Sequence, residues 1–190
     1  MRRNVLTNSI FEAALDQLLD TGELFCKAAG NIGIPYRVVG GLAVFLQVDE
    51  TDPLAARLTP DIDVAIDRRD LDRLRCAVEP HGFRHEIAKG LDTFRLIDSR
   101  PRSTVHIVFI GEKMCPADLE PVPASAPERT DRGILIAPVA DLVRMKLTSF
   151  RLKDKVHIQD MDGVGLITPA IEANLPPLLQ TRLAEVRATE

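Results

Sequence analysis

The stretch that most constrains the fold is Arg57-Leu-Thr-Pro-Asp-Ile-Asp-Val-Ala-Ile-Asp67. Side chains alternate across a strand, so Asp61 and Asp63 share one face while Ile62, Val64 and Ile66 form an apolar row on the other. The apolar row demands a core. The carboxylates are left facing out, close enough to share a divalent cation and mutually repulsive without one. Pro60 fixes the entry of the chain and biases Thr59 towards an extended conformation. An Asp-x-Asp on an exposed strand can also serve only to protect a sheet edge, so its meaning depends on its neighbours.

Upstream, Tyr36 to Val39 reads as a short buried strand that ends in Gly40-Gly41, and Leu42-Ala-Val-Phe-Leu46 reads as the start of a helix. A strand, two glycines and a helix N-terminus let backbone N–H groups approach phosphate oxygens, helped by the helix dipole. Phosphate-binding glycines followed by a carboxylate pair make chemical sense together. Asp49-Glu-Thr-Asp-Pro53, between them, is expected to be a surface loop.

Val39-Gly40-Gly41-Leu42-Ala43, followed by Arg57-x-Thr59-x-Asp61-Ile62-Asp63-Val64, resembles the signature of nucleotidyltransferase-fold proteins of the DNA polymerase beta superfamily. The resemblance, which covers residues 36 to 67, is especially to the minimal and abortive-infection-toxin-like (AbiEii-like) branch. The resemblance implies an α/β (α+β) fold, a mixed sheet with packed helices and a helical C-terminal part. It also implies that Gly40 and Gly41 cradle a triphosphate, that Arg57 and Thr59 assist in nucleotide binding, and that Asp61 and Asp63 hold Mg2+ or Mn2+.

The chain has 190 residues, enough for one core with a helical annex. A net charge of -4 and a pI near 5.6 argue against a nonspecific nucleic-acid binder. No apolar run could span a bilayer, and Arg2-Arg3 is not followed by the uninterrupted apolar segment of a signal peptide, so a cytoplasmic location without membrane contact is expected. Cys26, Cys76 and Cys115 suggest neither a disulfide framework nor a zinc motif. His81 and His85 are interrupted by Gly82 and are given no metal role.

Helical spacing over residues 9 to 29, with a capping box from Ser9 to Glu12, predicts a first helix carrying Phe11, Leu15, Leu18, Leu19 and Phe25. A second helix is expected from Arg69 to Val78. Strands follow at Phe83 to Ile87, Thr93 to Ile97 and Thr104 to Ile110, a meander with turns at Gly90 and at 98–103. Gly111 to Arg132, with four prolines, reads as a loop, and Ile134 to Ile136 as a last short strand. The division expected is a nucleotidyltransferase-like core over 1–136 and a helical part over 137–190 that closes the cleft.

Pro138 fits the first position of a long helix that stops near Gly163. At 100° per residue, Leu142, Val143, Met145, Leu147, Phe150, Leu152 and Val156 cover a broad apolar arc. Lys146 and Lys153 fall within it, while Arg144, Arg151 and Lys155 face water. Lys146 has two readings: it snorkels along the apolar surface, or it points at a phosphate held between this helix and the sheet. The glycine turn and the aspartates favour phosphate. Lys146-Leu-x-x-x-Arg151-x-Lys153-Asp154 followed by Asp160 also looks like the helical segment that toxin-like members place over the nucleotide. Thr168-Pro169 and Pro176-Pro177 begin two further helices, the second with Leu178, Leu179, Leu183 and Val186 apolar.

Active members of the superfamily add a third carboxylate from a nearby strand, and here His106 stands at that place in Val105-His-Ile-Val-Phe-Ile-Gly-Glu112. Histidine is a poor magnesium ligand but can act as a base near neutral pH. Three outcomes are open: His106 replaces the base, Asp98 or Glu112 swings in, or catalysis is lost and binding is kept. The leading function is metal-dependent transfer of a nucleotidyl group from an NTP to an acceptor hydroxyl on nucleic acid such as tRNA, on protein or on a small molecule. Asp61, Asp63, His106 and Lys146 would carry the chemistry, with Lys153 assisting Lys146 at the phosphates. The alternative is a catalytically degenerate nucleotidyltransferase fold that binds nucleotide or protein, and an antitoxin-like protein partner is conceivable for either.

Overall fold

The computed structural model of the chain describes residues 3–57, 59–97 and 104–189, and of residues 3–12 the backbone alone. The strand β1 (Tyr36–Val39) lies antiparallel to β2 (Ile62–Ile66), with Val39 opposite Asp63. The hairpin of β3 (Phe83–Ala88) and β4 (Leu91–Leu96) turns through Lys89 and Gly90, both at positive φ as a two-residue hairpin loop of this twist requires. Strand β5 (Thr104–Phe109) is antiparallel to β4 and parallel to β2, completing the expected meander. Two short strands, β6 (Glu128–Arg129) and β7 (Leu135–Ile136), extend the other side, giving a mixed sheet among the described residues in the order β3-β4-β5-β2-β1-β7-β6. The segment expected as a loop therefore contributes an edge strand at Glu128–Arg129.

The helix α1 (Arg3–Asn31) is already helical six residues before Ser9, so Ser9 is not its cap. The side chains of Ser9, Phe11 and Glu12 lie outside the described residues. Leu18, Leu19 and Phe25 are buried against the sheet, where the Phe25 ring meets Phe83 and Phe94 at centroid separations of 5.2 and 5.3 Å. The helix α2 (Gly40–Thr51) buries every residue from Gly41 to Val48 and so belongs to the centre of the protein. It continues through Asp49, Glu50 and Thr51, where a surface loop was expected. The helix α3 (Leu71–Val78) buries Leu74 and Val78, as its spacing predicts. On β2, Ile62 faces α1, close to Gly22, while Asp63 faces the opposite side.

The long helix expected from Pro138 is two helices, α4 (Val139–Ser149) and α5 (Leu152–Gly163). Phe150 sits at φ 51° in the left-handed region, and Arg151 is extended. Uninterrupted, the carbonyls of Leu147 and Thr148 would accept from the amides of residues 151 and 152. Here Arg182 takes over as donor, at 2.6 Å to Leu147 O and 2.8 Å to Thr148 O, with its guanidinium 4.6 Å from the Phe150 ring centroid. The freed Arg151 amide donates to the Asp154 carboxylate at 3.3 Å. The break thus leaves few orphan groups. It also carries Leu152 out of the predicted apolar arc, to 81% exposure.

Arg182 comes from α7 (Pro177–Arg187), which follows the short α6 (Pro169–Ala173), capped by Thr168 as expected. Leu179, Leu183 and Val186 are buried, but Leu178 is exposed, against expectation. Among the described residues no helix is long and apolar enough to cross a membrane. Because Arg182 supplies two charge-assisted hydrogen bonds to the end of α4, Arg182→Met should lower stability by about 1–3 kcal/mol. Urea unfolding checks this, and a loss under about 0.5 kcal/mol would leave the break without this support.

Candidate functional site

Val39, Asp63 and His106 form one row across three neighbouring strands, since Val39 pairs with Asp63 and Asp63 with His106. All three line a cavity of about 470 Å3, together with Gly40, Gly41, Thr59 and Asp61. From the other wall, α4 contributes Leu142, Met145, Lys146 and Ser149, and α5 contributes Lys153, Asp154 and His157, with Arg151 between them. Asp61 just before β2, Asp63 within it, the glycine turn and the lysines therefore meet in one place.

Gly40 begins α2 at φ 70°, and a Cβ there would lie 2.0 Å from Asp63 Oδ2. A Cβ on Gly41 would lie 2.7 Å from Thr59 Oγ1. The glycines are needed first to let Asp63 and Thr59 close on the turn, a requirement that sequence reading attributed wholly to phosphate. The same close approach holds both polar side chains at the N-terminus of α2, beside the backbone amides that favour anions.

His106 Nδ1 is 3.4 Å from Asp63 Oδ1. The hydrogen bond with Asp63 pushes its pKa above the usual imidazole range, against the opposing effect of burial, and the charges of Asp63 and Asp61 act in the same direction. Of the other candidates for a third acidic group, Glu112 is held by Arg68 through two hydrogen bonds of 2.6 Å and does not line this cavity. Asp98 lies outside the described residues. The position beside the aspartate pair belongs to His106.

Lys146, 6% exposed, donates to Asp154 Oδ1 at 3.2 Å. Burial lowers its pKa, and Asp154 works against that shift. Asp154 is fully buried and also accepts from Ser149 Oγ and Arg151 Nε, each at 2.8 Å. Burial alone would raise its pKa, yet Lys146, Arg151 and Ser149 hold it below the usual carboxylate value. Lys146 is thus an ion-paired lysine on the cavity wall, and snorkelling does not describe it. Arg151, expected to face water on the far side of a helix, lines the cavity. The role of Asp154 is not apparent from the sequence motif; the signal that points to it is the requirement of buried Lys146 for a nearby anion.

Lys153 lines the cavity from an exposed part of α5, because the break in the helix takes it out of the apolar arc in which its spacing put it. Arg57 does not line it: its Nε is 2.9 Å from Asp160 Oδ1, tying the segment before Asp61 to α5. His157, which sequence reading passed over, also lines the cavity; its Nδ1 is buried without a hydrogen-bond partner among the described residues, and burial followed by the charge of Lys146 pushes its pKa down to about 4.

Asp61 and Asp63 present hard oxygen to the cavity, and Gly40 leaves the Asp63 carboxylate its space. Magnesium is commonly held by one or two carboxylates with phosphate oxygens and water completing the shell. Among the described residues no three His, Cys, Asp or Glu side chains are grouped to hold an ion by themselves. The donor set fits a divalent cation that arrives with phosphate, and the imidazole beside it is better tolerated by Mn2+ than by Mg2+.

The mixed sheet with packed helices is a nucleotidyltransferase-like fold. Its architecture matches the solution structure of the antibiotic-resistance factor ANT(2'')-Ia at a TM-score of 0.56, with 14% identity over 92% of this chain and 93% of that one. ANT(2'')-Ia in complex with adenylyl-2''-tobramycin aligns at a TM-score of 0.44, with 15% identity over 87% and 94% of the two chains. The Megavirus polyadenylate synthase aligns at 0.39, with 8% identity over 90% of this chain and 34% of that one. No family model and no curated protein matches the sequence.

Gly40→Ala should destabilise the protein by about 1–3 kcal/mol, because the new methyl group meets the Asp63 carboxylate at a positive φ; thermal unfolding measures it. The two histidines should act on stability with opposite signs. The contribution of His106 is full below pH 6.5 and is lost as pH rises through its higher folded value. That of His157 is lost as pH falls from 6.5 towards 4, since the unfolded imidazole takes up a proton that the folded one refuses. Urea titrations of His106→Asn and His157→Gln between about pH 4 and pH 9 should show the two slopes separately.

Proposed function

We propose that the chain transfers a nucleotidyl group from a nucleoside triphosphate to an acceptor hydroxyl. The observation that carries this reading is the convergence in one cavity of Asp61 and Asp63, the Gly40-Gly41 turn at the start of α2, and Lys146 and Lys153 on the facing helices. A divalent cation held by Asp61 and Asp63 would screen the phosphate charge and polarise the scissile bond. The turn and the N-terminus of α2 hold phosphate oxygens. Lys146 and Lys153 neutralise charge that develops on the leaving pyrophosphate as the acceptor oxygen bonds to the α-phosphorus. His106, beside the aspartates, is placed to accept the acceptor proton, and as a base it works at pH above its raised pKa.

The second reading is a catalytically degenerate fold that keeps nucleotide or protein binding. It is favoured by His106 at the place of the third carboxylate, with its ring engaged by Asp63. The finer assignment, to the minimal or abortive-infection-toxin-like branch, rests on the run from Lys146 to Asp154 and on the glycine and aspartate motifs. An antitoxin-like protein partner and a cytoplasmic setting go with it, as does a division at 136 and 137 between core and cleft-closing helices. The acceptor is tRNA, a protein hydroxyl or a small molecule.

Thermal unfolding with each NTP, with Mg2+ or Mn2+ present or absent, tests the site. A ligand at a hundred times its Kd adds about 2.7 kcal/mol, a rise of about 5 to 10 °C for a chain of this length. The rise should depend on the metal and vanish in the Asp61→Ala, Asp63→Ala double variant. Where transfer to an acceptor is then found, each single substitution should reduce it by at least about a thousandfold. Unchanged transfer in both would refute the assignment, and a shift without any transfer would favour the binding module.

A further inference from the structure

We infer that Asp154 is a positioning residue that makes the α4–α5 break a reader of the triphosphate tail. It does so by fixing Lys146 on one carboxylate oxygen and Arg151 on the other. The inference rests on the nucleotidyl-transfer reading and names the part of the substrate that this wall selects: the polyphosphate, not the base or the sugar.

Lys146 Nζ donates to Oδ1, while Arg151 Nε, Arg151 N and Ser149 Oγ all donate to Oδ2. A fully buried carboxylate that receives four donors is a rigid template, because moving the buried Lys146 away from it would leave charge unpaired away from water. Arg151 uses only its backbone amide and Nε for this. Its two terminal nitrogens make no hydrogen bond among the described residues, and the side chain, 59% exposed, lines the cavity. A guanidinium anchored at Nε with a free terminal pair is arranged for bidentate contact with a phosphate.

Lys153, also on the cavity, has no ion-pair partner among the described residues. The wall therefore sets three cations against one carboxylate. His157, on the same cavity, adds no charge at neutral pH. A monophosphate has a single phosphate to set against either this wall or the glycine turn, whereas a triphosphate has separate phosphates for the two parts of the same cavity. Without Asp154, burial would drive Lys146 towards its neutral form and leave Arg151 unanchored, so the preference for the longer phosphate chain would fall.

The experiment measures the affinity of each nucleoside triphosphate against its monophosphate, by isothermal titration in Mn2+ and in Mg2+. The native chain, Asp154→Asn and Arg151→Gln are compared, with far-UV circular dichroism and thermal unfolding as the check on folding. The native chain should prefer the triphosphate, and both variants should lose at least tenfold in that preference while the monophosphate affinity holds. A folded Asp154→Asn with an unchanged ratio overturns the inference and leaves the nucleotide site standing. If Asp154→Asn does not fold, Arg151→Gln, altered at an exposed side chain, decides by the same ratio. A native chain that binds no nucleotide overturns the parent reading, and this one with it.

Discussion

The parallel register between β2 and β5 is the constraint on which the site depends. Ile62 faces Val105, Val64 faces Ile107 and Ile66 faces Phe109, and the first two pairs are buried. A slip of one residue would turn those side chains to the wrong face, so the hydrophobic core fixes the register. The polar consequence is that Asp63 stands beside His106, and Val39 with the glycine turn beside Asp63. The geometry of the polar cluster is therefore set by apolar packing on the other side of the same strand, where Ile62 meets α1.

Much of this was legible because it is written in local patterns. The alternation around Asp61 and Asp63, the glycines before Leu42, the β3–β4–β5 meander and the Thr168 cap each depend on residues adjacent in sequence. Even so, the alternation was incomplete: Ala65, on the Asp63 face, is fully buried, so β2 is open to the cavity only at its first end. The acidic run at the end of α2 looked like a loop from its composition, but the buried stretch from Gly41 to Val48 carries the helix into it.

The α4–α5 break was not legible. Ser149-Phe150-Arg151 contains neither glycine nor proline, and apolar spacing continues across it. What ends the helix is Arg182, thirty or more residues away in sequence, together with Asp154 on the far side of the break. Tertiary partners here override local propensity. The left-handed conformation of Phe150 is strained for a residue with a side chain, and its persistence reflects those contacts together with the Lys155 ammonium, 4.1 Å from the ring centroid.

The break has a chemical consequence that a continuous helix would not. Lys146 and Asp154 are eight residues apart, which on an unbroken helix is about 12 Å of rise and most of a quarter turn. A 3.2 Å ion pair between them arises because the chain folds back after Ser149. A lysine buried beside a cavity would otherwise lose its proton or seek water. Asp154 opposes the lowering of its pKa by burial and fixes its position before any ligand arrives. That is the condition under which a cation is most useful to a phosphate whose charge is redistributing, since no reorganisation is left to be done at the moment of reaction. The strained turn at Phe150 and the preset charge at Lys146 are two results of the same change in chain direction.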